Sequence, residues 1–188
     1  DEVLNGTVNE EVASFVASHD CDVQRIAGKQ VLRCRKLEQD PDLGFVGEIK
    51  EVETDLILEA LDAGKMPILS STGSDDSGQC YNVNADTAAA RVAMALGARR
   101  LVYLSDVPGL LRNPEDPDSL LSSRPVHQVQ PLKEEGVIAQ GMLPKVNSAV
   151  DALKSGVNRV HFIDGRLAHS ILLEIFTDQG IGTEIVHS

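Results

Sequence analysis

The chain has 188 residues, enough for one large domain or two small ones. Its 42% apolar and 24% charged residues exclude a disordered, collagen-like or coiled-coil polypeptide. Seventeen Lys and Arg against twenty-nine Asp and Glu leave a net charge of −12, a field that repels phosphate backbones and anionic headgroups. Binding to nucleic acid or a membrane surface is therefore not expected, and any anionic ligand must be held by local positive groups. Aromatic residues are 3% with no Trp, which argues against an aromatic platform for stacked bases. Cys21, Cys34 and Cys80 are odd in number and lack C-x-x-C spacing, the pattern of reduced thiols in a cytoplasmic protein. No apolar run reaches the roughly 18 residues needed to span a bilayer. The opening Asp1-Glu-Val-Leu-Asn-Gly6 lacks the features of a signal peptide and reads as the interior of a fold.

In chain order, Thr7-Val-Asn-Glu10 has the form of a capping box, and Val8, Val12, Phe15 and Val16 recur at helical spacing behind it. Residues 23–27 and 30–37 read as two strands of a hairpin joined at Gly28-Lys29. A strand over 43–49 precedes a helix over 54–63 that stops at Gly64, and Met66–Ser70 reads as a short buried strand. Residues 71–79 are small and polar, a turn inside a second antiparallel piece over 66–81. An Ala-rich helix over 85–96 ends at Gly97. Leu101–Leu104 is the clearest buried strand, and 112–125 is a Pro/Asp-rich excursion. Pro144 opens a helix over 144–155 that ends at Gly156, and a strand 159–163, a helix 168–177 and a strand 183–187 follow. Alternating strands and helices imply an α/β sandwich with a largely parallel sheet, with a soft boundary near Gly97.

In such sheets ligands gather beyond the carboxyl ends of strands, where loops meet helix N-termini. Two segments fit that place: Ser105–Leu111 after the strongest strand, and Gly141-Met-Leu-Pro-Lys145, where a loop enters a helix. A cation in the first helical turn opposes the helix dipole by about 0.3–1 kcal/mol unless an anion lies between them. Lys145 is thus either a phosphate ligand or a surface lysine whose head reaches water. There is no P-loop and no G-x-G-x-x-G. In Asn82-Val-Asn-Ala-Asp86, helix capping accounts for Asn84 and for Asp86 in an acidic first turn, but not for Asn82. Asp164, His161, His169 and Glu174 are close in sequence without a metal-binding spacing, so solvated or core-edge histidines are expected rather than a metal site. No nucleophile elbow is present.

Several of these segments resemble the acetylglutamate kinases of the amino acid kinase family: Tyr81-Asn-Val-Asn-Ala-Asp86, Leu104-Ser-Asp-Val-Pro-Gly109, Gly141-Met-Leu-Pro-Lys145 and Ile163-Asp-Gly-Arg166, in that order. Leu43-Gly-Phe-Val-Gly-Glu48 and Val3–Asn9 match as well. The resemblance implies a three-layer αβα sandwich, an amino-acid lobe over 1–97 and a nucleotide lobe over 98–188. It implies ATP-dependent phosphorylation of the side-chain carboxylate of N-acetyl-L-glutamate, with Mg²⁺ accompanying ATP, in a cytoplasmic enzyme (plastidial in a plant or alga). Lys145 would then be a transition-state lysine, Asp86 would organise the catalytic lysines, and Asn82 would bind the acceptor. Ser105, Asp106, Val107, Pro108, Gly109, Leu110 and Leu111, with Val137, Ile138, Ala139, Gly141 and Met142, would line the nucleotide pocket.

The carboxyl end resembles the arginine-inhibited branch. There His161, Glu174 and Gly180, followed by Ile181-Gly-Thr183, would hold L-arginine as effector; a helix-terminal Glu before a Gly turn is the plain alternative. A homo-oligomer, dimer or hexamer, and a nitrogen-signalling protein partner are further implications. The K-x-G-G loop with which the family begins is not found, so the chain is expected to be a carboxyl-terminal part of such an enzyme, inactive by itself. Another amino acid kinase, acting on carbamate, glutamate or aspartate, and a non-catalytic arginine-sensing fragment stay open as alternatives.

Overall fold

The computed structural model describes residues 2–138, 141–178 and 180–187. The chain divides into two compact units, Asp1–Ala95 and Leu96–Ser188.

The first unit opens with a π-helical turn, Glu2–Val8, that runs directly into α1, Asn9–Ala17. Val8 is already helical at this junction and no side chain caps α1, so the expected capping box does not form. The apolar stripe is also inverted. Phe15 is 68% exposed, while Asn9 and Ala13 are buried. Asn9 is placed inward by its hydrogen bonds: its Nδ2 donates to the Ile68 carbonyl at 3.0 Å and its Oδ1 accepts from Arg25 Nε at 3.0 Å.

Strand β1, Val23–Ile26, and β2, Leu32–Lys36, do not form the expected hairpin. A 3-10 turn over Gly28–Gln30 separates them. A Cβ at Gly28 would collide with the carbonyl oxygens of Ser70 and Thr72, so this glycine serves a close backbone crossing rather than a two-residue turn. β2 pairs antiparallel with β3, Gly47–Val52, which starts later than the sequence suggests. Helix α2, Asp55–Asp62, leads to β4, Met66–Leu69, which pairs parallel with β1. The hairpin is β5, Thr72–Ser74, with β6, Cys80–Asn82; β5 also runs parallel to β2. Its turn is closed by Asp75, whose carboxylate accepts from Ser77, Gln79 and Tyr81 Oη. Helix α3, Ala85–Ala95, is capped by Asn84 Oδ1, which accepts from the Thr87 N–H at 3.0 Å, and Arg91 ties it to the Ile49 carbonyl of β3 at 2.8 Å.

The second unit carries one four-stranded sheet in the order β7-β9-β10-β8. Its strands are β7, Arg100–Ser105; β8, Ser123–Pro125; β9, Arg159–Asp164; and β10, Thr183–Val186. β7 runs parallel to β9 with Tyr103 beside Phe162 and Ser105 beside Asp164, and β10 is antiparallel to β9. Helix α4, Val129–Glu134, is not signalled by the sequence pattern; it is short and contains Pro131. Helix α5, Leu143–Lys154, buries Val146, Ala149, Ala152 and Leu153 completely. Helix α6, Ser170–Phe176, completes the unit. Phe162, Val160, Ile163 and Ile185 are fully buried at the sheet centre, each contributing roughly 1.5–3 kcal/mol. Parallel pairing outnumbers antiparallel in the chain as described, four strand pairs to three, in a mixed α/β architecture.

Candidate functional site

Successive residues of a strand face opposite sides of a sheet, so the register of β7 on β9 sorts the second unit's candidates onto two faces. Leu101, Tyr103 and Ser105 share a face with Val160, Phe162 and Asp164; Arg100, Val102 and Leu104 share the other with Arg159, His161 and Ile163.

On the first face Tyr103 and Phe162 stack, with ring centroids 5.3 Å apart and planes inclined by 12°. The Nζ of Lys145, from the first turn of α5, lies 6.0 Å from the Tyr103 ring centroid. That is the outer range of a cation–π contact. α5 turns directly into β9 at Gly156, so its N-terminus returns to the carboxyl end of that strand. Among the described residues, no side chain caps the N-terminus of α5.

The loop after β7 is fixed from behind. Gly165 N–H donates to the Ser105 carbonyl at 2.8 Å, joining the ends of β7 and β9. Leu110 N–H donates to Thr183 Oγ1 at 2.8 Å, and Leu121 N–H donates to the Leu110 carbonyl at 2.9 Å. Gly109 sits at φ +149°, where a Cβ would lie 2.5 Å from Thr183 Oγ1, so only glycine allows this approach. Asp106 is exposed, Ser105, Val107 and Pro108 are half-buried, and Leu111 is bridged to Leu120. Thr183, expected with the effector segment, serves this loop instead: opposite Phe162 in the β10–β9 pair, it shares the Tyr103 face.

Asp164 ends β9 on the same face. It holds Arg166 through two parallel bonds, Nε to Oδ1 at 2.9 Å and Nη2 to Oδ2 at 2.8 Å. The Arg166 side chain and its backbone N–H together lower the Asp164 carboxyl to about 2. Val137 and Ile138 fold back on the Leu132 carbonyl after α4, and Ile138 is buried. Met142 precedes α5 and its carbonyl accepts the Val146 N–H; Gly141 is exposed beside it. Ala139 lies outside the described residues.

The opposite face carries a cavity of about 500 Å³. Here His161, Glu174 and Gly180 come together, and the strands add Arg100, Arg159 and Glu184. His161 Nδ1 is 2.8 Å from Glu174 Oε1, and Glu174 Oε2 accepts the N–H groups of Ile181 at 2.8 Å and Gly182 at 2.9 Å. Both side chains are almost fully buried, and His161 Nε2 has no hydrogen-bond partner among the described residues. Burial pushes the Glu174 carboxyl up, but the bonds from His161, Ile181 and Gly182 outweigh it and hold Glu174 below the usual carboxylate range. Glu184 binds Arg159 at 3.0 Å and Ser123 Oγ at 3.0 Å. Period-two alternation from His161 would have flagged Arg159, but Arg100 and Glu184 become visible only through strand pairing.

In the first unit, Asn82 closes β6, its N–H donating to the Phe45 carbonyl at 2.8 Å and its side chain exposed. Asp86, half-buried, occupies the first turn of α3.

The sequence profile of the amino acid kinase family matches residues 2–164, and the chain belongs to that family. The acetylglutamate kinase of Carboxydothermus hydrogenoformans is 45% identical over 192 residues, covering 96% of this chain and 65% of that protein. The chain thus spans just under two thirds of that relative's length. Among solved structures, smu.665 from Streptococcus mutans UA159 superposes with a TM-score of 0.83 at 29% identity, covering 100% of this chain and 70% of that one. N-acetylglutamate synthase from Neisseria gonorrhoeae, complexed with coenzyme A and L-arginine, gives a TM-score of 0.79 at 29% identity, covering 100% of this chain and 46% of that one.

Proposed function

We propose that the chain is part of an enzyme transferring the γ-phosphoryl group of ATP to the side-chain carboxylate of N-acetyl-L-glutamate. The observation that carries this reading is the convergence of Lys145 and the braced 105–111 loop at one end and one face of the β7–β9 pair. Its support from relatives is a set of acetylglutamate kinases at 41–45% identity.

A carboxylate oxygen attacks the γ-phosphorus, the bond to the bridging oxygen breaks, and ADP leaves. Such a step needs positioning and charge neutralisation more than covalent help from the protein. In a chain of net charge −12, the Lys145 ammonium and the N-terminus of α5 supply positive potential where phosphate charge develops. The second unit takes the nucleotide and the first the acceptor, with Asn82 as its amide ligand and Asp86 orienting lysines. Among the described residues no cluster of three or more His, Cys, Asp or Glu is placed to hold a metal. Mg²⁺ accompanying ATP would supply further neutralisation of the phosphate charge.

The cavity around His161 and Glu174 is an effector site for L-arginine. It offers carboxylates to a guanidinium and the Arg100 and Arg159 cations to an α-carboxylate. The Neisseria synthase, crystallised with L-arginine, supports this reading. The test is an acyl-phosphate assay, trapping product with hydroxylamine, on the whole protein of which this chain is a part. N-acetyl-L-glutamate-dependent turnover that falls on adding L-arginine is expected. Turnover with carbamate, glutamate or aspartate instead would replace the acceptor, and turnover indifferent to arginine would remove the effector.

A further inference from the structure

Ile163-Asp-Gly-Arg166 leaves β9 at the end and on the face that carry Lys145 and the 105–111 loop, yet the proposed reaction gives it no task. Asp164 lies beside Ser105 in register, and Gly165 N–H donates to the Ser105 carbonyl, so this turn borders the nucleotide loop directly. Asp164 takes Nε and Nη2 of Arg166 in a forked pair, and the backbone N–H of Arg166 donates to the same carboxylate at 2.9 Å. The guanidinium is thereby fixed in one plane while its side chain remains 68% exposed.

We infer that Arg166, clamped by Asp164, is the platform on which the base of the bound nucleotide stacks. This rests on the nucleotide reading of this end of the sheet. Charge decides between base and phosphate as the partner. The two oxygens of the contacting Asp164 carboxylate offset its single positive charge and disfavour a polyanion there. They do not disfavour a neutral purine, which binds a guanidinium through its π-face. Lys145, on the stacked Tyr103–Phe162 pair, is left to meet the phosphates.

The experiment is calorimetric titration of the purified whole protein of which this chain is a part with ATP, adenosine and inorganic tripolyphosphate. R166A should weaken ATP and adenosine by roughly threefold to thirtyfold, the span of a cation–π contact, and leave tripolyphosphate unchanged. R166K, which keeps the charge and loses the plane, should behave like R166A. D164N, which loosens the clamp, should fall between R166A and wild type. A role in folding alone would lower the melting temperature of R166A without separating adenosine from tripolyphosphate. Unchanged ATP affinity in R166A, or equal losses for ATP and tripolyphosphate, would overturn the platform. A wild-type protein that binds no ATP would overturn the nucleotide reading itself, a distinct result.

Discussion

Phe162 and His161 are consecutive residues of one strand, yet they belong to different chemistries. On the Phe162 face polar groups gather at the rim: Lys145 over a stacked aromatic pair, an exposed Asp164–Arg166 fork, and a loop held by the Thr183 hydroxyl. On the His161 face an ionisable pair is buried inside the unit, with both Glu174 oxygens occupied by donors. The first face carries its charged groups at an exposed rim, and the second commits a buried histidine and glutamate to each other. A rim group can therefore be lost with little cost to folding, whereas the buried pair cannot lose a member cheaply.

The sharpest way to separate the faces is Lys145→Ala. Removing one preorganised cation from developing phosphate charge should lower kcat about a hundredfold to a thousandfold. Arginine affinity and melting temperature should not change, and a fall in arginine affinity would show that the two faces are not independent. Glu174→Ala should do the reverse. It strands the N–H groups of Ile181 and Gly182 and leaves His161 without its partner, a loss of about 3 kcal/mol or more in denaturant titrations. ATP affinity of the remaining folded protein should stay at the wild-type value.

Thr183→Val tests the hydrogen bond that ties the 105–111 loop to β10. Leu110 N–H would lose its buried acceptor, costing about 1–2 kcal/mol, and ATP should bind more weakly while arginine does not. The smallest effect lies in the acid limb of stability. Glu174 is held below its ordinary value, so its contribution is complete above the ordinary glutamate range and is lost as pH falls through the depressed folded value. Glu174→Gln should flatten that limb in acid titrations followed by circular dichroism, and an unchanged slope would remove Glu174 as its source.

Much of the second unit was legible because its elements bury on consistent faces. The stripe Val146, Ala149, Ala152, Leu153 and the apolar run of β9 match their environments without conflict. Reading failed where a local pattern met a tertiary contact it could not contain. The apolar residues of α1 point outward because Asn9 has better partners inside. The two strands flanking Gly28 separate because that glycine packs under another backbone. Lys145 stood out from its conflict with the helix dipole, and Asn82 as a residue that capping left unexplained. Arg100 and Glu184 carried no comparable signal, because only strand pairing brings them to His161.

The sequence by itself determined the alternation of strands and helices, the points where glycines and Asn84 stop or start them, and which segments could meet a phosphate. Those properties depend on neighbours a few residues apart, where propensity, capping and period act. Only the tertiary structure decided that β1 joins β4, that Thr183 braces the 105–111 loop, and which side of the sheet His161 and Phe162 each face. A one-residue change of register exchanges the faces of a strand, and register is set by partners far away in the chain.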